Sequence, residues 1–233
     1  KLEKLITDKT KLIIINSPNN PCGSAINQES MHKISDILAD KNITILADEI
    51  YSQFLYDGSH ESISNYTKLK EKIIILDGFS KSYSMTGWRI GYGIFPESLI
   101  DPITKLVANS NSCTASFTQI AAIEALKGSQ ESVKLMVKEF KSRRDLIVKG
   151  LNSINNITCP TPSGAFYVFP NISKTGISSE EFADRLLNEK GVATLSGESF
   201  GEEGKGYIRL SFANSKKNIS EALNRIELFT KNL

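Results

Sequence analysis

Three runs that are apolar throughout constrain this chain more than anything else in it: KLIIINS at residues 11 to 17, ITILADE at 43 to 49 and IIILDGF at 73 to 79. Strands that face water on one side alternate apolar and polar residues, whereas continuous apolar runs of this length are what parallel strands covered on both faces look like. A helical pattern over about 28 to 41 separates the first two runs. Strand–helix–strand alternation implies an α/β sheet with right-handed crossovers. In such sheets the chemistry collects just beyond the carboxyl ends of the strands. Asn16 to Gly23, Asp48 to Tyr51 and Gly78 to Lys81 all fall there, each within a few residues of its run. Three polar clusters are expected to converge on one edge.

The second half changes character. A long helical stretch from about Ser129 to Ser153 places Val133, Met136, Val137, Phe140, Ile147 and Leu151 at helical spacing, as a bridge between two domains would. After it come Pro160, Pro162 and Gly164, an alternating strand AFYVFP (165 to 170), a helix from about Ser179 to Lys190, a strand YIRLSFA (207 to 213) and a final helix from about Lys216 to Lys231. This reads as a small α+β domain. The expected division is 1–128 and 129–233, with no internal repeat.

Composition excludes several classes. The 28 basic and 26 acidic side chains are interleaved, giving a formal net charge of +2 without the clustered Lys/Arg stripe that a nucleic acid requires. No window approaches the roughly 18 consecutive apolar residues of a membrane span, and KLEKLITDKT lacks the apolar core of a secretory signal. The expectation is a soluble, cytoplasmic protein with neither nucleic acid nor membrane as partner. Cys22, Cys113 and Cys159 lie far apart, without metal-site spacing or disulfide density, and are expected to be small packing residues. His32 and His60 have no third ligand in view; a surface or capping role is expected, and no metal.

Each polar cluster has an ordinary reading beside a chemical one. NSPNNPCG (16 to 23) is a rigid polar turn fixed by two prolines and a glycine, so a plain strand-to-helix loop would account for it. Asp48 at a strand end is either a helix cap or a carboxylate awaiting a cation, because such a group is costly to bury alone. GFSKSYSMTGWRIGY (78 to 92) sets Lys81 among hydroxyls, with Arg89 eight residues later. A lysine that serves as a Schiff-base nucleophile must be partly neutral, which burial beside positive charge permits. Arg89 stays charged and suits a bidentate phosphate contact.

Taken in order, N-x-P-x-NP-x-G, the DE-x-Y strand end and SK-x-Y-x-MTGWR-x-GY resemble the fold-type I pyridoxal-phosphate enzymes of aminotransferase class I, and the likeness runs on to YIRLSFA near the end. The resemblance implies an α/β fold: part of a large cofactor-binding domain with a mostly parallel sheet, followed by a small α+β carboxyl-terminal domain. It implies pyridoxal 5′-phosphate as cofactor. Lys81 then corresponds to the lysine that holds the cofactor as a Schiff base and afterwards moves a proton as general acid and base. Asp48 corresponds to the carboxylate that pairs with the pyridine nitrogen. Tyr51 and Asn20 correspond to the groups bonded to the phenolic oxygen, and Ser80 and Arg89 to part of the phosphate cup. Arg209, in YIRLSFA, corresponds to the fork that grips the substrate α-carboxylate with Asn20 nearby, and its place in the small domain would let domain closure assemble the site.

The chain departs from the family at three points. Gly78 stands where a hydroxyl residue is often found three before the lysine, and Cys22 where a threonine is usual in the NP-x-G turn. The family's phosphate loop, its cofactor-stacking ring and a partner-subunit tyrosine lie upstream of the first motif, so a fragment of a longer enzyme is expected. The implied activity is transamination between an amino acid, aspartate first, and a 2-oxo acid, 2-oxoglutarate. Alanine or aromatic transamination, a carbon–sulfur lyase and a catalytically incomplete remnant remain as alternatives. A homodimer is the expected assembly.

Overall fold

The computed structural model describes all 233 residues, and they divide into two units: residues 1–18 with 25–134, and residues 19–24 with 135–233. The first unit contains α1 (Leu2–Leu5), β1 (Leu12–Asn16), α2 (Gln28–Leu38), β2 (Thr44–Asp48), β3 (Ile73–Gly78), β4 (Gly91–Ile94), α3 (Glu97–Ser110) and α4 (Ser116–Lys127). Its sheet runs β1-β2-β3-β4; the first three strands are parallel and β4 is antiparallel to β3. The mostly parallel α/β sheet expected from the apolar runs is present.

Register decides which side chains share a face. Ile13, Ile45 and Ile73 align, as do Ile15, Ala47 and Ile75, and these point to a core completed by Met31 and Leu38 of α2 together with Ile63 and Leu69. The opposite face carries Leu12, Ile14, Leu46, Asp48 and Leu76. There the expectation of two covered faces fails within this chain, because Ile14 is 67% exposed and Leu12 45%.

Local chemistry sets the element ends. Asn27 opens α2 by accepting the Ser30 N–H at 2.9 Å, and Met31, Ser35 and Leu38 bury one stripe of the helix. The helix stops short of the expected residue 41, where the Lys72 ammonium donates to the carbonyls of Ala39 and Lys41, each at 2.7 Å. A cation on the last carbonyls of a helix satisfies acceptors that have no partner inside it.

The boundary between units falls within α5 (Glu131–Asn152). The second unit then adds β5 (Tyr167–Val168), α6 (Ser179–Lys190), β6 (Leu195–Ser196), β7 (Ile208–Ser211) and α7 (Lys216–Thr230). Its antiparallel sheet has the order β5-β7-β6. Ser178 caps α6 through the Glu181 N–H at 3.1 Å, and Gly191 ends it at φ +66°, a left-handed value that glycine adopts without steric cost. The core is aromatic: Phe182, Phe212 and Phe229 are fully buried, with Phe182 and Phe229 edge to face at 5.1 Å. The strand expected over 165 to 170 shrinks to two residues, because the ladder gives way to an isolated bridge at Asn171.

Candidate active site

In the first unit, the ends of β1, β2 and β3 meet as the sequence implies. Asn16 and Asp48 are register partners, as are Asp48 and Leu76. The Asp48 carbonyl accepts from the Asn16 side chain and the Ser17 N–H, both at 3.3 Å, so the turn after β1 holds the end of β2. Its carboxylate accepts the Ile50 N–H at 3.2 Å and lies on the less covered face of the sheet. Tyr51 follows in a tight turn and is 4% exposed. Lys81 follows β3 by three residues, half-buried, with its ammonium 6.0 Å from the centre of the Tyr51 ring.

The segment around Lys81 is a series of tight turns. Phe79 is buried and its carbonyl accepts from the N–H groups of Tyr83 and Met85, each at 3.2 Å, while Ser84 and Arg89 take left-handed backbone angles at φ 54°. Non-glycine residues there cost of order 1 kcal/mol or more, so the surrounding bonds hold this loop in place. Gly78 has a steric explanation: a Cβ would come 3.1 Å from the Gly91 Cα and 3.3 Å from the Ile50 Cδ1, where β3 and β4 approach closely. A side chain at that position would require its neighbours to give by a few tenths of an ångström. Arg89 is exposed, and its Nη1 donates to the Thr86 carbonyl at 3.0 Å, which points the fork along its own turn. It also borders a cavity of about 870 Å³ with Trp88, Asn111, Cys113 and Thr118. Lys81, Asp48 and Tyr51 do not line that cavity, so its size does not make it the seat of the chemistry.

The second unit holds the remaining two residues. Asn20, in the 19–24 turn, accepts from Arg209 Nη1 at 2.9 Å through its Oδ1. The turn is tight: Asn19 accepts the Gly23 N–H at 2.9 Å and donates to the Ser24 carbonyl at 2.8 Å, and its one proline, Pro21, follows a cis peptide bond. The Arg209 guanidinium sits 4.7 Å from the Tyr167 ring centre and 4.9 Å from that of Phe200. Aromatic faces on a guanidinium restrain its plane and leave its edge donors for a planar acceptor such as a carboxylate. Sequence reasoning found Arg209 and Asn20 but not Tyr167 or Phe200; the aromatic alternation of AFYVFP was the available signal for the first.

Other expectations need correcting. Cys22 and Cys113 are exposed, so only Cys159 packs inside, where burial pushes its thiol up to about 12. His32 is at the surface, beside Asp36. His60 is not: its side chain is 15% exposed, with Nε2 3.0 Å from Glu49 Oε2. Trp88 is 47% exposed. No cluster of His, Cys, Asp or Glu is arranged to hold a metal, and no helix is long and apolar enough to cross a membrane.

Lys81, Asp48 and Tyr51, following the ends of adjacent strands, bring an amine, a carboxylate and a phenol to one edge of the sheet. The fold is of the α/β aminotransferase type. The chain belongs to the aminotransferase class I and II family, whose sequence model matches residues 1–226 and whose members use pyridoxal 5′-phosphate. An aspartate aminotransferase from Pyrococcus horikoshii is 45% identical over 231 residues, covering 97% of this chain and 58% of that protein. The crystal structure of an aromatic aminotransferase from Pyrococcus horikoshii matches with a TM-score of 0.96 at 38% identity, over 99% of this chain and 62% of that one. An alanine aminotransferase from Pyrococcus furiosus matches with a TM-score of 0.91 at 35% identity, over all of this chain and 60% of that one. The chain thus spans about three-fifths of the length of these relatives.

Proposed function

We propose that these residues are part of a pyridoxal-phosphate-dependent aminotransferase that moves an amino group between an amino acid, preferentially aspartate, and 2-oxoglutarate. Residues 1–128 are then the carboxyl-terminal portion of the large cofactor-binding domain, and 129–233 the interdomain helix and small domain. The reading extends to a homodimer, as the resemblance implies, and to the cytoplasm. The observation that carries it is Lys81, half-buried beside the Tyr51 ring at the exit of the strand that neighbours the one ending in Asp48. The 45% identity to an aspartate aminotransferase supports the substrate, while the aromatic and alanine enzymes at similar structural likeness make a substrate panel the means of deciding it.

When bound, the cofactor supplies an electron sink that stabilises charge on the substrate α-carbon. The residues of this chain do the rest. Lys81 would anchor the group and carry a proton from the α-carbon. Asp48 would offer a carboxylate to the ring nitrogen. Tyr51 would donate to the phenolic oxygen, and Ser80 and Arg89 would receive the phosphate. Arg209, its plane held between Tyr167 and Phe200 and one donor turned to Asn20, grips the substrate carboxylate.

The test is to incubate the full-length protein with pyridoxal phosphate, reduce with borohydride and locate the modified peptide by mass spectrometry. Label on Lys81 is the expected result. Absence of label, or label scattered over surface lysines, refutes the assignment and favours a non-catalytic remnant.

A further inference from the structure

Glu49 is the residue directly after Asp48, and strand alternation turns it to the opposite face of the sheet, away from any group Asp48 would meet. Its side chain is 12% exposed, in a space walled by Ile15, Met31, Ala47 and Ile63. A carboxylate in such a place is costly unless it is fully engaged. Every polar group of Glu49 is engaged. Its N–H donates to the Leu76 carbonyl at 2.9 Å and its own carbonyl accepts the Ser52 N–H at 2.7 Å. Oε1 accepts from Ser62 Oγ at 2.7 Å, and Oε2 is 3.0 Å from His60 Nε2. The His60 contact is close, but Nε2 makes no hydrogen bond.

These contacts close a loop. The chain leaves the sheet at Glu49, turns through Tyr51 and Phe54, both buried, and returns at His60 and Ser62 onto the side chain from which it departed. Asp48 and Tyr51 therefore flank the point at which the loop is pinned. On the same face of the next strand lies Asp77, whose carboxyl is pushed up chiefly by burial and further by the charge of Glu49, against the Gly78 N–H, the Tyr92 hydroxyl and His60. Glu61 completes the charged surroundings. An imidazole in contact with the Glu49 carboxylate and near enough to Asp77 to influence it has an electrostatic place here that an apolar residue would not fill.

We propose that Glu49, His60 and Ser62 form a positioning staple that fixes Asp48 and Tyr51 from behind the sheet, setting their aim at the cofactor without touching it. This rests on the reading of Asp48 and Tyr51 as cofactor-facing groups. The staple acts through backbone geometry, so its loss is felt in how firmly the two groups hold their positions. Misplacement of a reacting group by a fraction of an ångström costs about tenfold in rate or more.

The experiment uses the full-length protein loaded with pyridoxal phosphate and the variants Glu49→Ala, Glu49→Gln, His60→Phe and Ser62→Ala. For each, the pH midpoint of the visible absorption change of the bound cofactor is recorded, together with kcat, KM and the melting temperature. His60→Phe and Glu49→Ala should displace the spectral midpoint and lower kcat about tenfold while KM changes little, and Glu49→Gln, which keeps the volume and the Ser62 bond, should recover most of both. Ser62→Ala, the mildest change, should move the midpoint in the same direction and serves where a larger change prevents folding. Variants that melt lower yet keep the parent's midpoint and kcat overturn the proposal, leaving a staple that only stabilises. If the parent itself carries no borohydride label on Lys81, the functional reading has failed; label on Lys81 with unchanged variant spectra defeats the staple alone.

Discussion

At the scale of single residues, the proposed chemistry rests on Lys81, and its replacement separates tether from pocket. Lys81→Ala in the full-length protein should abolish transamination while pyridoxal phosphate still associates noncovalently, because Asp48, Tyr51, Ser80 and Arg89 are untouched; dialysis followed by absorbance measures what is retained. A variant that turns over at the parent rate removes Lys81 from the mechanism. Asp77 supports a prediction of a different kind. Burial, the largest influence, raises its carboxyl above the ordinary value, so the native state binds this proton more tightly than the unfolded chain does. Stability from this group is complete below the unfolded pKa and is lost as pH rises through the higher folded one. Asp77→Asn keeps an acceptor oxygen for the Gly78 N–H, turns an amide N–H to the Tyr92 hydroxyl oxygen, and removes the charge. It should therefore melt higher than the parent near pH 7, with the gain vanishing as pH falls through the carboxylate range; a gain independent of pH would mean the charge is not the cause.

At the scale of elements, the strands and helices read most directly from the sequence were those whose pattern is local. Runs apolar throughout gave β1, β2 and β3 to within a residue or two, and α6, which carries its own caps in Ser178 and Gly191, has the bounds that its pattern implies. No element was expected between residues 91 and 127, where β4, α3 and α4 lie. β4 is four residues with two glycines, too short and too glycine-rich to show alternation, and α3 contains Pro102. The site divides in the same way. Asp48, Tyr51 and Lys81 are legible because strand ends are, whereas the contacts of Phe200 with Arg209 and of His60 with Glu49 join residues whose meeting depends on how loops return. The 19–24 turn is the element most open to a sharp test. Gly23 sits at φ +66°, and a Cβ there would lie 2.4 Å from Pro162 Cβ and 2.8 Å from the Gly164 carbonyl oxygen. Gly23→Ala should cost about 2 to 3 kcal/mol in denaturant unfolding and raise KM by shifting Asn20 from Arg209. A neutral substitution would show that the turn relaxes freely.

At the scale of the whole molecule, the first unit presents apolar surface that its own elements leave uncovered. Leu12 and Ile14 stand out from the sheet, and α4, apolar on nearly every side, buries little more than Thr118 and Ala122 while Phe117 is 71% exposed and Ile120 68%. A helix that is hydrophobic all round belongs in an interior, and contiguous apolar patches of this kind mark places where more protein docks. The relatives to which the chain is similar are longer than it, so under the proposed reading the rest of a longer enzyme would occupy such surface. The 233 residues expressed alone should consequently bind an apolar fluorescent dye such as anilinonaphthalene sulfonate strongly and self-associate in sedimentation. Phe117→Glu combined with Ile120→Lys should reduce both effects and leave stability within about 0.5 kcal/mol of the parent, because neither side chain is buried in this unit. The same pair placed in the full-length protein should instead destabilise it, since there the two charges would be forced into a covered interface. Equal tolerance in both contexts would show that α4 faces water in the complete enzyme too, and that the apolar surface serves something other than its assembly.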